Sequence, residues 1–186
     1  MFRIAVIDGQ GGAIGSTLIK KIMESHGKDV EVWALGTNAI ATTQMLKAGA
    51  NRGATGENAI RHCVHRVDAV VGPISIIIPH AFMGEVTPGM VEALGLSTAF
   101  KLLLPFTQEP VIVVGTTSEP LPHQVEDLVE KYLVPLIVAG NRPPEQVLDV
   151  EAGAGGGTGR IVVESRPGQG NTWSGGPGVL TRLRKK

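Results

Sequence analysis

At 186 residues and 19.5 kDa the chain suits one domain, or one domain with an appended tail. Its 17 basic and 17 acidic residues cancel, so no overall field draws it to nucleic acid or a charged membrane, and its single cysteine, Cys63, excludes an internal disulfide framework and a Cys-rich zinc module. With 42% hydrophobic residues it can bury a core, and no apolar stretch approaches the roughly 18 residues needed to span a bilayer. Met1–Asp8 enters a strand-like run directly, so a soluble cytoplasmic protein without a leader is expected.

Five short apolar runs predict buried strands: Phe2–Asp8, Val30–Leu35, Val67–Gly72, Phe100–Phe106 and Val111–Gly115. Between the first two, Ile14, Leu18, Ile19, Ile22 and Met23 form one helical stripe, with Lys20, Lys21 and Glu24 opposite. A second helix is expected over Asn38–Lys47, ended by Gly49, and a third over Glu57–Arg66 with Ile60, Cys63 and Val64 on one face. Thr87-Pro88 supplies an N-cap and a first-turn proline for a fourth helix, with Gly95 as its stop. The fifth starts near Pro122, and Pro135 should bend or end it. Ile74–Gly84 fits neither period, because Pro79 interrupts both.

The composition changes near Gly140. Residues 140–186 are rich in Gly, Pro, Ser, Thr and Asn and carry a net charge of +3, against −3 for 1–139. We therefore divide the chain into a Rossmann-like domain, 1–139, and a Gly/Pro-rich tail, 140–186, whose expected state is disorder, with Arg160–Glu164 as one isolated strand.

Alternating strands and helices imply a doubly wound, mostly parallel five-stranded α/β sheet with helices on both faces. Ligands in such folds bind outside the carboxyl ends of the strands, which directs attention to Gly9–Gly15, Gly36–Asn38, Gly72–Ile74, Thr107–Pro110 and Thr116–Pro122. The first of these, Gly9-Gln10-Gly11-Gly12-Ala13-Ile14-Gly15, lies between a strand and an amphipathic helix. Helix N-termini present free amides and partial positive charge, and glycines let the backbone approach a phosphate. The spacing G-x-G-x-x-x-G is one residue longer than the strict dinucleotide fingerprint. A phosphate-bearing ligand is the functional reading; a tight turn that lets the helix pack is the structural one. Secondary contacts would come from Gly36, Thr37 and Asn38, at the adenosine ribose of a dinucleotide site, and from Gly72 and Pro73. The first set can equally cap the next helix, and the second can simply end a strand.

Three absences narrow the chemistry. No acidic residue follows the second strand to take a ribose, and no arginine to take a 2′-phosphate, so NAD and NADP are both candidate cofactors. The only tyrosine, Tyr132, lacks the lysine four residues on that short-chain dehydrogenases need. Gly15 is followed by Ser16-Thr17 rather than by the lysine of a Walker A loop. Asp8 has two open roles: accepting hydrogen bonds from loop amides, or holding Mg²⁺.

Elsewhere the structural readings dominate. Thr55 with Asn58 resembles a helix cap, and Arg52 is the cation placed to meet an anion on that side. His62 and His65 point away from Cys63 on a helix, which opposes a shared metal. His123 opens the last helix and could serve as acid or base, though an exposed histidine explains it equally. The terminal Arg182-Leu183-Arg184-Lys185-Lys186 could meet an acidic partner or simply be solvated.

The pieces Ile7-Asp8-Gly9-Gln10-Gly11-Gly12, Ala34-Leu35-Gly36-Thr37-Asn38, Gly53-Ala54-Thr55-Gly56-Glu57-Asn58-Ala59-Ile60, Gly72-Pro73-Ile74 and Glu119-Pro120-Leu121-Pro122-His123 occur in that order. In them the chain resembles a small uncharacterised bacterial family, a domain of unknown function found mostly in anaerobic Gram-positive bacteria. The resemblance runs from Met1 to about Leu133 and implies a Rossmann-like domain with no established activity. It supplies no catalytic residues, and residues 140–186 depart from it.

Three functions remain open: a nucleotide- or dinucleotide-binding protein, redox-active if it is an enzyme; a non-enzymatic sensor or regulatory module; and Mg²⁺-dependent phosphate chemistry centred on Asp8. A homo-oligomer that completes the site between subunits is compatible with so short a chain.

Overall fold

Strand β1 (Phe2–Asp8) sends Ile4 and Val6 to one face of a sheet and Ala5 and Ile7 to the other, and all four are buried. That two-sided burial is why the run reads as continuously apolar rather than alternating. In the computed structural model, which describes residues 1–116, 119–139, 146–151 and 158–163, the chain divides into two compact units, Met1–Gly140 and Asn141–Lys186.

In the first unit β1 leads through helix α1 (Ala13–His26) to β2 (Val30–Gly36), then through α2 (Ala39–Lys47) to β3 (Arg52–Thr55). Helix α3 (Glu57–Cys63) precedes β4 (Ala69–Pro73), a 3₁₀ turn (Ile74–Ile77), α4 (Pro88–Leu96) and β5 (Phe100–Leu104). Helix α5 (Leu121–Asp127) passes through a π-turn (Leu128–Leu133) into α6 (Val134–Ala139). The five strands are all parallel, in the order β3-β2-β1-β4-β5, so this is a Rossmann-like doubly wound sheet. Leu18, Ile19 and Ile22 of α1, Met45 of α2, and Val125, Val129 and Leu136 fill the core on one face. Ile60, Ile76, Met90 and Leu94 fill the other.

Two expectations for the sheet are corrected. Its fifth strand is the short edge strand β3, where Arg52, Gly53 and Thr55 are exposed and no apolar run marks the segment. Val111–Gly115 is not a strand; Ile112 and Val114 are 91% and 93% exposed. Branched side chains favour strands only where a neighbouring strand or core receives them, and the sheet ends at β5.

Helix ends differ in smaller ways. Asn38 caps α2 through Ala41 N (2.9 Å) and Thr87 caps α4 through Met90 N (3.2 Å). Thr55 does not cap α3: it lies in β3 with its hydroxyl on that of Thr42 (2.7 Å), and Gly56 is the cap residue. Helix α3 ends at Cys63, three residues before Arg66, and α4 continues past Gly95 to Leu96. Pro135 does not end its helix either. It has no N–H to return to the preceding turn, and the chain widens into the π-turn immediately before it.

In the second unit β6 (Gln146–Glu151) pairs antiparallel with β7 (Thr158–Val163). The strand expected over Arg160–Glu164 thus begins earlier and has a partner, which satisfies backbone groups an isolated strand would leave open. The terminal basic cluster, residues 182–186, lies outside the described residues.

Candidate functional site

Strand order reverses between β1 and β4, so the loops after these strands meet above the sheet. The first of these loops is built around Asp8. Its side chain is 3% exposed, and its two oxygens accept from the amides of Gly9 (2.8 Å) and Gly15 (2.7 Å). Burial pushes the Asp8 carboxyl up from its ordinary value, against the opposing pull of the Gly15, Gly9 and Ile14 amides. Asp8 therefore takes the amide-accepting role, and it neutralises much of the α1 N-terminus from within. Among the described residues no group of three or more His, Cys, Asp or Glu side chains could hold a metal ion.

The rest of the loop stays partly open. Gly12 has φ 67° and donates to the Gly9 carbonyl (2.9 Å), which closes the turn into α1. The amides of Gly11 and Ala13 have no acceptor among the described residues. A Cβ placed on Gly11 would meet nothing within 4 Å. Gly11 and Ala13 line a cleft of about 340 Å³ whose near wall is residues 8–14. Its far wall is Ser75 from the 3₁₀ turn, Phe82, and Phe106, Thr107 and Gln108 after β5. Among the described residues no lysine or arginine lines it, and the Gln10 and Gln108 side-chain amides meet across its mouth (3.2 Å).

Two glutamates flank this cleft, and neither is singled out by the sequence. Glu85 Oε2 accepts from Gln10 N (2.9 Å), Thr37 Oγ1 (2.5 Å) and Asn38 Nδ2 (2.9 Å). Burial alone would raise its carboxyl, but these three donors hold it below the ordinary glutamate range. Glu109 accepts from the Thr107 hydroxyl, Ser75 Oγ (3.0 Å) and Phe82 N (3.2 Å). The Thr107 hydroxyl is the largest influence keeping it low, against burial.

Glu109 grips one strap, residues 78–86, and Glu85 ties that strap to the glycine loop; in it His80, Phe82 and Met83 adopt φ of 68°, 56° and 58° without being glycine. Thr107–Pro110 is among the strand-end loops marked by the fold rule, and Ser75 comes two residues after Gly72–Pro73. Those signals could have found Ser75 and Glu109. Nothing in the local pattern announces Glu85 or Phe82.

The structure thus joins Gly9, Gln10, Gly11, Gly12, Ala13 and Ile14 in one cleft wall. Gly15 lies inside α1 as a donor to Asp8. Gly36, Thr37 and Asn38 are not in the cleft: Gly36 packs tightly on Thr42, and the other two hold Glu85. Gly72 is a close-approach residue, since a Cβ there would lie 2.4 Å from the Ile7 carbonyl, and Pro73 is buried at the end of β4. Arg52 pairs with Glu31 (2.7 Å), and His123 is exposed. A hollow of about 380 Å³ between β5 and α5 takes in Thr116 and Glu119 of the Thr116–Pro122 loop but no residue of the glycine loop. We therefore centre the site on the cleft at the strand carboxyl ends.

Residues 3–136 match the model of the family described as Domain of unknown function DUF3842, and the chain belongs to that family. No curated protein matches it. Among solved structures it is similar to the crystal structure of a dodecameric FMN-dependent UbiX-like decarboxylase from Escherichia coli O157:H7. That similarity stands at 15% identity and a TM-score of 0.38, covering 73% of this chain and 94% of that one. Among the described residues no helix is long and apolar enough to cross a membrane.

Proposed function

We propose that the first unit binds a mononucleotide-sized ligand. A single phosphate would sit on the Gly11 and Ala13 amides, and a flat ring would occupy the cleft between Phe82 and Phe106. The observation that carries this reading is a space of about 340 Å³ at the topological switch point, lined by two residues, Gly11 and Ala13, whose amides have no acceptor among the described residues. A cleft wall without lysine or arginine favours one phosphate over a triphosphate, whose charge would need cationic partners. The Gln10 and Gln108 amides at the mouth suit the polar edge of a base. A Rossmann-like nucleotide site in this position is also what the glycine spacing leads us to expect, with NAD or NADP as the larger members of the same ligand class.

The test is calorimetry and thermal shift on the full chain with AMP, FMN, NAD, NADP and ATP, each with and without Mg²⁺. A ligand at a hundred times its Kd adds about 2.7 kcal/mol of stability, several degrees for a domain of this size. Gly11→Val places its side chain in open cleft rather than in protein. It should keep the melting temperature of the free protein and abolish the shift. A folded Gly11→Val protein with unchanged affinity, or no shift from any ligand, defeats the proposal. Dependence on Mg²⁺ that disappears in Asp8→Asn would instead favour a metal–phosphate site.

A further inference from the structure

We propose that Glu85 sets the size of the ligand, its carboxylate acting as a resident anion that keeps the second nucleotide of a dinucleotide out of the site. This rests on the mononucleotide reading above and names what enforces it. In a doubly wound dinucleotide site the ligand crosses from the glycine loop toward the end of the second strand, where its ribose meets the residues just beyond. Here those residues are Thr37 and Asn38, and both are already engaged. Each donates to Glu85 Oε2, at 2.5 and 2.9 Å, and the same oxygen accepts the loop amide of Gln10 at 2.9 Å. An anion already belongs to the chain at the place where a ligand's oxygens would go.

Glu85 is held close against the glycine loop. A Cβ built on Gly9 would lie 2.4 Å from Phe82 Cδ2, 2.7 Å from Thr37 Oγ1 and 2.9 Å from Glu85 Oε2, so the strap lies directly on the loop. The strap is held from its other side as well. Glu109 takes the Phe82 amide, and His80 N donates to the Val86 carbonyl (2.7 Å), while Ala81 and Val86 are buried at 0% and 1% exposure. Three non-glycine residues in left-handed conformation persist where surrounding contacts over-determine them, and these contacts do so. The β2 side of the loop is thereby closed by a negative charge, and the cleft on its other side stays open. A dinucleotide reaching across would have to displace Glu85 from three donors and place its own anionic backbone beside it. Specificity through such a repulsive element needs no contact with the ligand that is accepted.

The experiment measures Kd for AMP, FMN and NAD by calorimetry on the full-length wild type, Glu85→Ala and Glu85→Gln. The wild type should prefer its best mononucleotide over NAD by at least tenfold. Glu85→Ala removes both bulk and charge, and the ratio of NAD to mononucleotide affinity should rise about tenfold or more. Glu85→Gln keeps the length and one acceptor oxygen, so its ratio should rise about threefold; it also serves if the alanine variant does not fold. If both variants bind mononucleotides and reject NAD as the wild type does, the role of Glu85 is overturned while the cleft assignment stands. A wild type that binds NAD as tightly as a mononucleotide overturns it too. Should none of the three proteins bind any of the ligands, both proposals fall together.

Discussion

Substituting alanine at two adjacent glycines, Gly11 and Gly12, should have opposite consequences, and the difference can be sized from local geometry. Gly12 sits at φ 67°, where an L side chain costs about 1–2 kcal/mol. A Cβ there would also lie 2.8 Å from Ala41 Cα and 2.9 Å from its carbonyl oxygen. These are backbone atoms of α2, which cannot swing away as a side-chain tip would. Relieving that overlap means moving α1 and α2 apart, a form of overpacking worth roughly 1–3 kcal/mol. The unfolded chain loses some freedom when glycine becomes alanine, which returns about 0.4–1 kcal/mol to the folded state. The net cost for Gly12→Ala is about 1–4.6 kcal/mol, or roughly 3–14 °C in Tm for a domain of this size. Gly11 has neither a left-handed φ nor any atom within 4 Å of the added carbon, so Gly11→Ala should be neutral or up to about 1 kcal/mol more stable. Urea unfolding followed by circular dichroism, with unchanged m-values, reads both. The reasoning is refuted if Gly12→Ala falls within about 0.5 kcal/mol of wild type, or if Gly11→Ala is destabilised as much as Gly12→Ala.

Two further expectations concern acid and the exposed run after β5. Glu109 is held below its ordinary value of 4.5, so its stabilising share is present above that pH and lost as pH falls through its lower folded value. Asp8, held above its ordinary value, acts with the opposite sign as pH falls through its own folded value. Glu109→Gln should therefore be less stable at pH 7 and lose less on acidification below about pH 4.5, as read from urea midpoints across pH. Acid limbs parallel to wild type would remove Glu109 from the forces holding the strap. The double substitution of Ile112 and Val114 by serine should cost less than about 0.5 kcal/mol at each position, because both side chains are more than nine-tenths exposed. A loss of about 2 kcal/mol or more would mean that the run is packed as a strand after all.

What the sequence reveals here depends on whether a contact is local. Strands β1 and β2 are legible because both faces are covered, so apart from Arg3, Asp8 and Glu31 their residues are apolar on both faces. Strand β3 is hidden because it is a four-residue edge whose exposed Arg52, Gly53 and Thr55 read as loop, while Val111–Val114 has strand chemistry without a place in the sheet. The glycine loop is legible for the same reason as β1: turn, cleft wall and helix start lie within a few residues. The strap is not. It uses His80, Phe82 and Met83 where a left-handed backbone would ordinarily be signalled by glycine or asparagine, and its Glu85 meets Gln10 across 75 positions. The missing acid after β2 is the clearest consequence of this distance. Along the chain, its absence leaves the choice of dinucleotide open. In the fold an acid does stand there, delivered from the strap, with Thr37, Asn38 and Gln10 all turned toward it. An acid that binds ribose must keep its oxygens free for the sugar, whereas the Glu85 oxygen that faces the loop already has three donors. The same residue type at the same corner of the fold therefore argues for exclusion rather than recognition.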